Sequence, residues 1–324
     1  MLRRTVLAAA LAAVVLPAPA QAEPFTFVAL GDMPYGLPKN VFPPFEVLID
    51  TVNALKPAFV VHIGDTKSGS TPCDNAMLDA QLGYLNRFDP AAVYSLGDNE
   101  WTDCYRKKAG QFDPLERLDY IRRTYFADPS TSFGVHPLAV ESQAVVGAPE
   151  HRTYVENTRF TKDGVMFVQA HVVGSNNNLE NRNMAAVAEY FARDAANVAW
   201  LNGAFDKAEA EGAKALAVAI QADMFEFGFG VPGNAEAFVR HSGFKNFGDT
   251  LVKRAKAFDR PVLLIYGDSH QFRVWRPFPK GAPKIMALEV FGAQDMHAVL
   301  VSVDPDDLAV FGFKPVINPA RPFN

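Results

Sequence analysis

The segment AAVYSLGDNEWTDCYR, residues 91–106, joins an apolar run directly to a cluster of polar side chains. Ala91–Leu96 has the length of a buried β-strand, and a Gly-Asp pair ending at Asp98 follows it at once. The same junction occurs three more times along the chain, ending at Asp32, Asp65 and Asp268. A single Gly-Asp pair after a strand is commonly a turn or a helix N-cap. Repetition of the junction predicts that several strands deliver carboxylates to one crevice, where a bound cation would relieve their mutual repulsion.

Apolar runs of strand length alternate with helical patterns along most of the chain. The runs are Phe25–Leu30, Ala58–Ile63, Ala91–Leu96, Val165–Ala170, Ala215–Ile220 and Val262–Tyr266. The helical patterns cover residues 43–55, 74–87, 114–126, 184–211 and 234–258, the last with a break near Gly243. Continuous apolar strands between helices predict an α/β fold with parallel pairing. Three later runs separated by short turns predict antiparallel strands: Ile285–Val290, Ala298–Val303 and Leu308–Phe313.

The first 22 residues have the pattern of a secretory signal peptide. Two arginines precede an apolar stretch, residues 6–16, that is too short to span a bilayer, and residues 20–22 form an Ala-Gln-Ala cleavage site. We therefore expect an exported protein, secreted or periplasmic, whose mature chain is one domain over residues 23–324.

The charge balance of the chain is mildly acidic. It has 31 basic and 36 acidic residues, a net charge of −5, and removal of Arg3 and Arg4 makes the net charge −7. This balance argues against nucleic acid or an anionic membrane surface as a partner. No second apolar span follows the leader, so we expect no stable membrane anchor.

Five blocks that follow strands occur in the order GDMPYG, GDTKSG, GDNE, IQAD and GDSH. In order and in strand context, this set resembles the motifs of the calcineurin-like metallophosphoesterase superfamily, which includes the purple acid phosphatases. The resemblance covers residues 25–272. It implies a two-layer β-sandwich flanked by helices, with two divalent metal ions between strand ends. It also implies hydrolysis of a small phosphorylated substrate, a phosphate ester, by a metal-activated water.

The resemblance assigns a metal ligand to every block. The expected ligands are Asp32, Asp65, Asp98, Gln221, Asp268 and His270. Asp223 is an alternative to Gln221, and Asp65 is expected to bridge the two ions. Five oxygen donors and one imidazole favour manganese, magnesium or calcium over zinc or iron.

The blocks also depart from the superfamily pattern, chiefly at histidines. Asp98 stands where the pattern has Asn, and Asp268 stands where it has His. Asn99 replaces the His that commonly assists the leaving group, so it becomes the expected catalytic side chain, donating a hydrogen bond to the phosphate or its leaving oxygen. The loss of the histidines leaves a second interpretation open, a non-catalytic binding protein with the same fold.

Four residues outside the ligand set are further candidates. Arg106 can hold a phosphate, although a solvated surface charge is an equally good interpretation. His171 is a candidate substrate contact and general acid, the alternative being a structural role. Cys73 and Cys104 are the only cysteines, and we expect them to be bridged in an exported protein, the alternative being two unrelated buried thiols.

Overall fold

The computed structural model describes residues 22–230, 233 and 235–322. The strands are β1 (Phe25–Leu30), β2 (Phe59–His62), β3 (Ala91–Tyr94), β4 (Glu141–Ser142), β5 (Thr158–Lys162), β6 (Val165–Gln169), β7 (Ala215–Ala219), β8 (Val262–Tyr266), β9 (Arg273–Trp275), β10 (Ile285–Glu289), β11 (Ala298–Val303) and β12 (Phe311–Val316). The helices are α1 (Pro38–Leu55), α2 (Asn75–Leu85), α3 (Pro114–Tyr125), α4 (Gln143–Val146), α5 (Gly174–Asn177), α6 (Met184–Ala210), α7 (Ala235–His241) and α8 (Lys245–Phe258).

The described strands form two sheets. One has the order β12-β11-β1-β2-β3, and the other has the order β4-β5-β6-β7-β8-β10-β9. The runs β1-β2-β3 and β6-β7-β8-β10 pair in parallel, so the carboxyl ends within each run lie at the same edge. Antiparallel strands complete one edge of the first sheet and both edges of the second.

The two sheets pack face to face, and helices cover their outer faces. Phe27, Phe59 and Phe167 lie between the sheets, with the Phe27 and Phe59 rings stacked at 5.1 Å. Alternate residues of the same strands, such as Val28, face outward against α1, α2 and α3, and α6 and α8 cover the other sheet. Because both faces of the central strands are covered, their apolar runs are continuous rather than alternating. The predicted α/β fold, a two-layer β-sandwich flanked by helices, is confirmed.

Several element boundaries differ from the sequence predictions. Helix α1 begins at Pro38 and contains Pro43 and Pro44, where the sequence predicted that the helix would begin. Pro38 occupies the first turn, which suits its fixed φ, and burial of Phe45 on the core face helps the helix to continue through the two prolines. The break near Gly243 is confirmed, since a 3-10 turn there separates α7 from α8.

The C-terminal strands were predicted only in part. Strands β11 and β12 are antiparallel as expected, although β12 begins three residues later than Leu308, after a turn. The prediction is wrong for β10, which lies in the other sheet from β11 and β12 and pairs parallel with β8. The antiparallel partner of β10 is the short strand β9, which lies between β8 and β10 in sequence.

Cys73 and Cys104 form a disulfide with their Cα atoms 5.6 Å apart, as expected. It joins the loop after β2 to the loop after β3. The expected signal peptide, by contrast, lies outside the described residues except for its last position. Within the part of the chain that the structure describes, no helix combines the length and apolarity needed to cross a membrane.

Candidate metal centre

The four Gly-Asp junctions bring their carboxylates to one end of the sandwich. Ligand oxygens of Asp65, Asp98 and Asp268 lie within 4.8 Å of one another. Asp32 lies beside them and is fully buried, and its Oδ2 accepts a hydrogen bond from the main-chain N of Asp268 at 3.0 Å. The cluster therefore joins β1, β2 and β3 of one sheet to β8 of the other.

The glycine of a junction makes room for the carboxylate of a neighbouring junction. A Cβ atom added at Gly97 would lie 2.0 Å from Asp65 Oδ1, and one added at Gly267 would lie 2.0 Å from Asp32 Oδ2. Real Cβ contacts are never so short, so any side chain at Gly97 or Gly267 would displace a carboxylate. This requirement, which was not recognised from sequence, accounts for the glycine at two of the four Gly-Asp pairs better than a turn alone.

The backbone at the centre adopts a conformation that side chains rarely take. Asp32, Asp65, Asp268 and His270 have φ values of 53°, 54°, 76° and 61°, in the left-handed region. Each such residue costs free energy in an isolated chain, and clusters of them are typical of functional sites. The surrounding sheets therefore hold these four side chains in place against local preference.

Asn99 and Tyr35 both contact Asp65. The Asn99 side-chain amide donates to Asp65 Oδ2 at 2.6 Å and to the Tyr35 hydroxyl at 2.8 Å. The Tyr35 hydroxyl donates to Asp65 Oδ2 at 2.7 Å. The Tyr35 ring lies edge-on to His270 at 5.2 Å. Tyr35 was not recognised from sequence, although it stands within the GDMPYG block.

His270 lies at the mouth of the cluster. Its Nε2 is 3.8 Å from Asp32 Oδ1, and its side chain is about one-third exposed. Burial lowers the pKa of His270, so the imidazole is favoured in the neutral form that ligates metals.

The electrostatics of the centre favour a cation. Burial first, and then the charges of neighbouring carboxylates, raise the pKa values of Asp32, Asp65 and Asp268 well above the ordinary range. Asp32 Oδ1 is buried and accepts no hydrogen bond from the residues that the structure describes. Hard carboxylate oxygens beside one neutral imidazole are donors that suit a divalent ion, so these residues fit such a group.

Asp98 is held by a serine that the sequence analysis did not single out. The Ser175 hydroxyl donates to Asp98 Oδ2 at 2.8 Å. Ser175 begins a run of positive φ that continues through Asn176 and Asn177 to Asn178, so the segment labelled α5 is a single left-handed turn and not a right-handed helix. Asparagine tolerates this conformation better than most residues, so the polar loop at 174–183 contained the signal.

Gln221 and Asp223 occupy different positions relative to the carboxylates. Gln221 is fully buried, and its Oε1 accepts from the main-chain N of Gly174 at 2.6 Å. The Asp223 side chain accepts instead from Ser269 at 2.6 Å and from Arg273 at 2.9 Å. The Asp223 carboxylate is thus engaged by a cation outside the cluster, whereas Gln221 supports the loop that carries Ser175.

A cavity of about 400 Å³ opens over the carboxylates. Its lining includes Asn99 and Arg106.

Arg106 forms an ion pair with Asp103 at the edge of this cavity. Arg106 Nη1 lies 2.6 Å from Asp103 Oδ2, and Asp103 is nearly buried whereas the Arg106 side chain is about half exposed. Burial and the charge of Asp98 raise the pKa of Asp103 to about 7, although Arg106 opposes that rise. Asp103 was not recognised from sequence as a residue of the site. Its position five residues after Asp98 was the only signal available.

His171 belongs to a buried ion-pair network. Its Nδ1 lies 2.8 Å from Glu156 Oε1, and Glu156 also pairs with Arg122 at 2.6 Å. Burial lowers the pKa of His171 to about 4, with the charge of Arg193 acting in the same direction. His171 is not among the described residues that line the cavity, so the structure does not bring it together with Asn99.

Comparisons with known proteins place this geometry in a fold family. No protein-family model matches the chain, and no curated protein matches its sequence. Among solved structures, a dimetal phosphatase from Danio rerio is 10% identical, with a TM-score of 0.56 over 91% of this chain and 100% of that one. A purple acid phosphatase from yellow lupin (Lupinus luteus) seeds is 11% identical, with a TM-score of 0.49 over 93% of this chain and 55% of that one. The first likeness and the sheet order together show that the chain has the metallophosphoesterase, calcineurin-like fold.

Proposed function

We propose that the protein is an exported, metal-dependent phosphoesterase. The observation that carries the proposal is the cluster of Asp65, Asp98 and Asp268, whose oxygens lie within 4.8 Å of one another beneath an open cavity. Two divalent ions would be held by these carboxylates with Asp32 and His270, and Gln221 would complete the set. Bound divalent ions supply Lewis acidity and lower the pKa of water, which is the chemistry that phosphate-ester hydrolysis needs.

The chain's own residues bind and orient the phosphate. The Asn99 amide reaches the cavity, and either of its two hydrogens can turn from Asp65 or Tyr35, which otherwise accept them, to a phosphoryl or leaving oxygen. Arg106 lines the same cavity, and its pairing with Asp103 fixes the direction of the guanidinium. A planar guanidinium matches the oxygens of a phosphate, so the lining residues support a small phosphorylated substrate.

Export and domain organisation are parts of the same proposal. The signal-peptide pattern over residues 1–22 and the disulfide between Cys73 and Cys104 both suit an oxidising compartment, secreted or periplasmic. Residues 23–324 would then be the mature single domain.

The direct test is hydrolysis of p-nitrophenyl phosphate by the full mature chain. The chain is stripped with chelator and then given manganese, magnesium, calcium or zinc separately. We expect turnover that depends on added metal and that Asp65→Asn abolishes. Asp50→Asn, an exposed carboxylate on α1, is the matched control and should leave turnover unchanged.

A second candidate is a metal-binding module without catalysis. It is favoured by Asn99, which has no titratable proton at the position of the motif histidine, and by the engagement of His171 with Glu156. Stoichiometric metal binding without turnover of p-nitrophenyl phosphate under any metal would support this candidate and refute the phosphoesterase.

A further inference from the structure

A second cavity adjoins the cavity that opens over the carboxylates. It has a volume of about 500 Å³, and Asp103 and Ser175 line both spaces. A group bonded to a phosphate over the carboxylates would therefore pass these two side chains and enter the second cavity. Volumes of this order are typical of small-molecule sites.

The walls of the second cavity combine apolar and hydrogen-bonding surface. Leu115, Ala185 and Ala186 supply apolar contacts where α3 and α6 begin. Tyr105 adds an aromatic ring that is 63% exposed. Such a lining suits a ligand with a flat apolar face and polar edges.

The charges around the second cavity are mostly negative among the described lining residues. Arg182 is the one cation there, and its side chain is 88% exposed with Nε 3.4 Å from Glu180, whereas the Asp103 carboxylate is engaged by Arg106. The Asp113 carboxylate caps α3, accepting from the main-chain N of Leu115 at 2.8 Å. An anionic group would thus meet three carboxylates and a single guanidinium that lies mostly in solvent, so the loss of its hydration would be poorly compensated.

We propose that the second cavity is the subsite for the alcohol portion of the substrate, and that it takes a bulky, uncharged alcohol with an apolar face. The inference rests on the proposed function, because it assumes a phosphate over the carboxylates. The proposed subsite implies that the substrate is a phosphate ester of a neutral organic alcohol. A diphosphate, or another ester with an anionic leaving group, would not fit it.

The test uses three esters that differ in size and charge: phenyl phosphate, 2-naphthyl phosphate and 6-sulfonato-2-naphthyl phosphate. The two naphthyl esters match in bulk, and the sulfonate makes the leaving naphthol more acidic, which favours its departure. We nevertheless expect kcat/KM for the neutral naphthyl ester to exceed that for the sulfonated ester by about tenfold, because the subsite disfavours the added charge.

A substitution that fills the cavity separates the subsite from the metal centre. Ala185 is exposed at the start of α6 and lines the cavity, so Ala185→Trp fills it without entering the core. We expect kcat/KM for 2-naphthyl phosphate to fall about tenfold through KM, with phenyl phosphate changed by less than about twofold. Ala188→Trp is the control, since Ala188 is equally exposed on α6 but does not line the cavity.

The outcomes distinguish the subsite from the proposed function. Two outcomes would overturn the subsite and leave the proposed phosphoesterase activity intact, provided that phenyl phosphate is hydrolysed. The first is that Ala185→Trp has no effect on hydrolysis of 2-naphthyl phosphate. The second is that the two naphthyl esters are hydrolysed at equal rates. If no ester is hydrolysed, fluorescence titration with 2-naphthol decides. Binding that Ala185→Trp abolishes and Ala188→Trp preserves would support the subsite alone, and absence of binding would overturn it.

Discussion

The Arg193 guanidinium donates to Asn177 twice, to its side-chain carbonyl at 2.5 Å and to its main-chain carbonyl at 3.0 Å. Arg193 is fully buried and also pairs with Glu189 at 2.5 Å. Asn177 belongs to the left-handed turn in which Ser175 donates to Asp98. Arg193 therefore holds in place the left-handed turn whose Ser175 orients the Asp98 carboxylate.

We expect Arg193→Met to weaken metal binding as well as stability. Removing one partner of a buried ion pair typically costs about 3–5 kcal/mol of unfolding free energy, here because the Glu189 carboxylate would lose its cation and keep only the hydrogen bond from Asn178. Release of the turn should also weaken manganese affinity, measured by isothermal titration. Arg254→Met is the control, since Arg254 pairs with Asp206 near the C-terminal end of α6 and should alter stability without altering affinity. Ser175→Ala should weaken affinity with little change in stability, and unchanged affinity in both site variants would contradict the assignment.

Gly97→Ala should disrupt the centre without any change of charge. The added Cβ would lie 2.0 Å from Asp65 Oδ1, so the carboxylate or the loop must move. We expect loss of metal-dependent thermal stabilisation and of turnover. Gly83→Ala provides the matched control, because a Cβ there meets nothing within 4 Å on helix α2. It should stabilise the fold by roughly 0.5–1 kcal/mol, as glycine is the poorer helix former. Similar metal binding by the two variants would contradict the close approach seen at Gly97.

The metal-free protein should lose stability from its carboxylate cluster as the pH rises. Burial and neighbouring charges raise the folded-state pKa of Asp65, so protonation favours the folded state. The contribution of Asp65 is fully present below the pKa of the unfolded chain and is lost as the pH rises through the folded-state pKa. The stability of wild type relative to Asp65→Asn in chelator should therefore fall from about pH 4 upward. Denaturant unfolding of both proteins at each pH measures this difference, in which the titration of His62 and His171 largely cancels. A difference that grows with pH would show that Asp65 is stabilised as the anion.

The strand framework was predictable from sequence, whereas much of the detail around the site was not. Continuous apolar runs such as Ala91–Leu96 identify doubly covered strands, and the Gly-Asp pairs mark their ends. Strand β4 has two residues and β9 has three, too few for a periodic signal. The contact of Ser175 with Asp98 spans 77 positions and depends on a left-handed turn, so no local pattern could predict it.

The same limit applies to the choice between Gln221 and Asp223. Their sequence spacing allowed either side chain to be the expected ligand, and the contact of the Asp223 carboxylate with Arg273, fifty residues later, could not be read from that spacing. The pairing of His171 with Glu156 was likewise not readable from sequence, because the two residues are fifteen positions apart and meet only in the folded chain.

Hydrolysis should depend steeply on the acidity of the leaving alcohol. The Asn99 amide donates a hydrogen bond but has no proton to transfer, and His171 is engaged by Glu156 away from the cavity. General acid catalysis is typically worth about 10² to 10⁴ in rate, so alkyl phosphates should be hydrolysed far more slowly than aryl phosphates. A series of substituted phenyl phosphates measures the slope. We expect Asn99→His to flatten it and His171→Ala to leave it unchanged. A shallow slope that His171→Ala steepens would instead identify His171 as the acid.

The proposed metal site has carboxylates at two positions where the motifs that it resembles carry other side chains. Asp98 and Asp268 leave His270 as the single imidazole in the expected ligand set, so we expect manganese, magnesium or calcium to be preferred over zinc or iron. Isothermal titration of chelator-stripped protein measures the affinities for manganese and zinc.

Asp268→His is the decisive variant, because it exchanges one oxygen donor for an imidazole at a position already in the cluster. It should move the ratio of the two affinities toward zinc by about tenfold or more, since imidazole suits zinc better than manganese. Asp259→His, an exposed carboxylate at the end of α8, is the control and should leave the ratio unchanged. Binding should also release protons, since Asp32 and Asp65 have raised pKa values when metal-free, so affinity should fall below neutral pH. Stoichiometric zinc or iron in wild-type protein purified without added metal would contradict the oxygen-donor assignment.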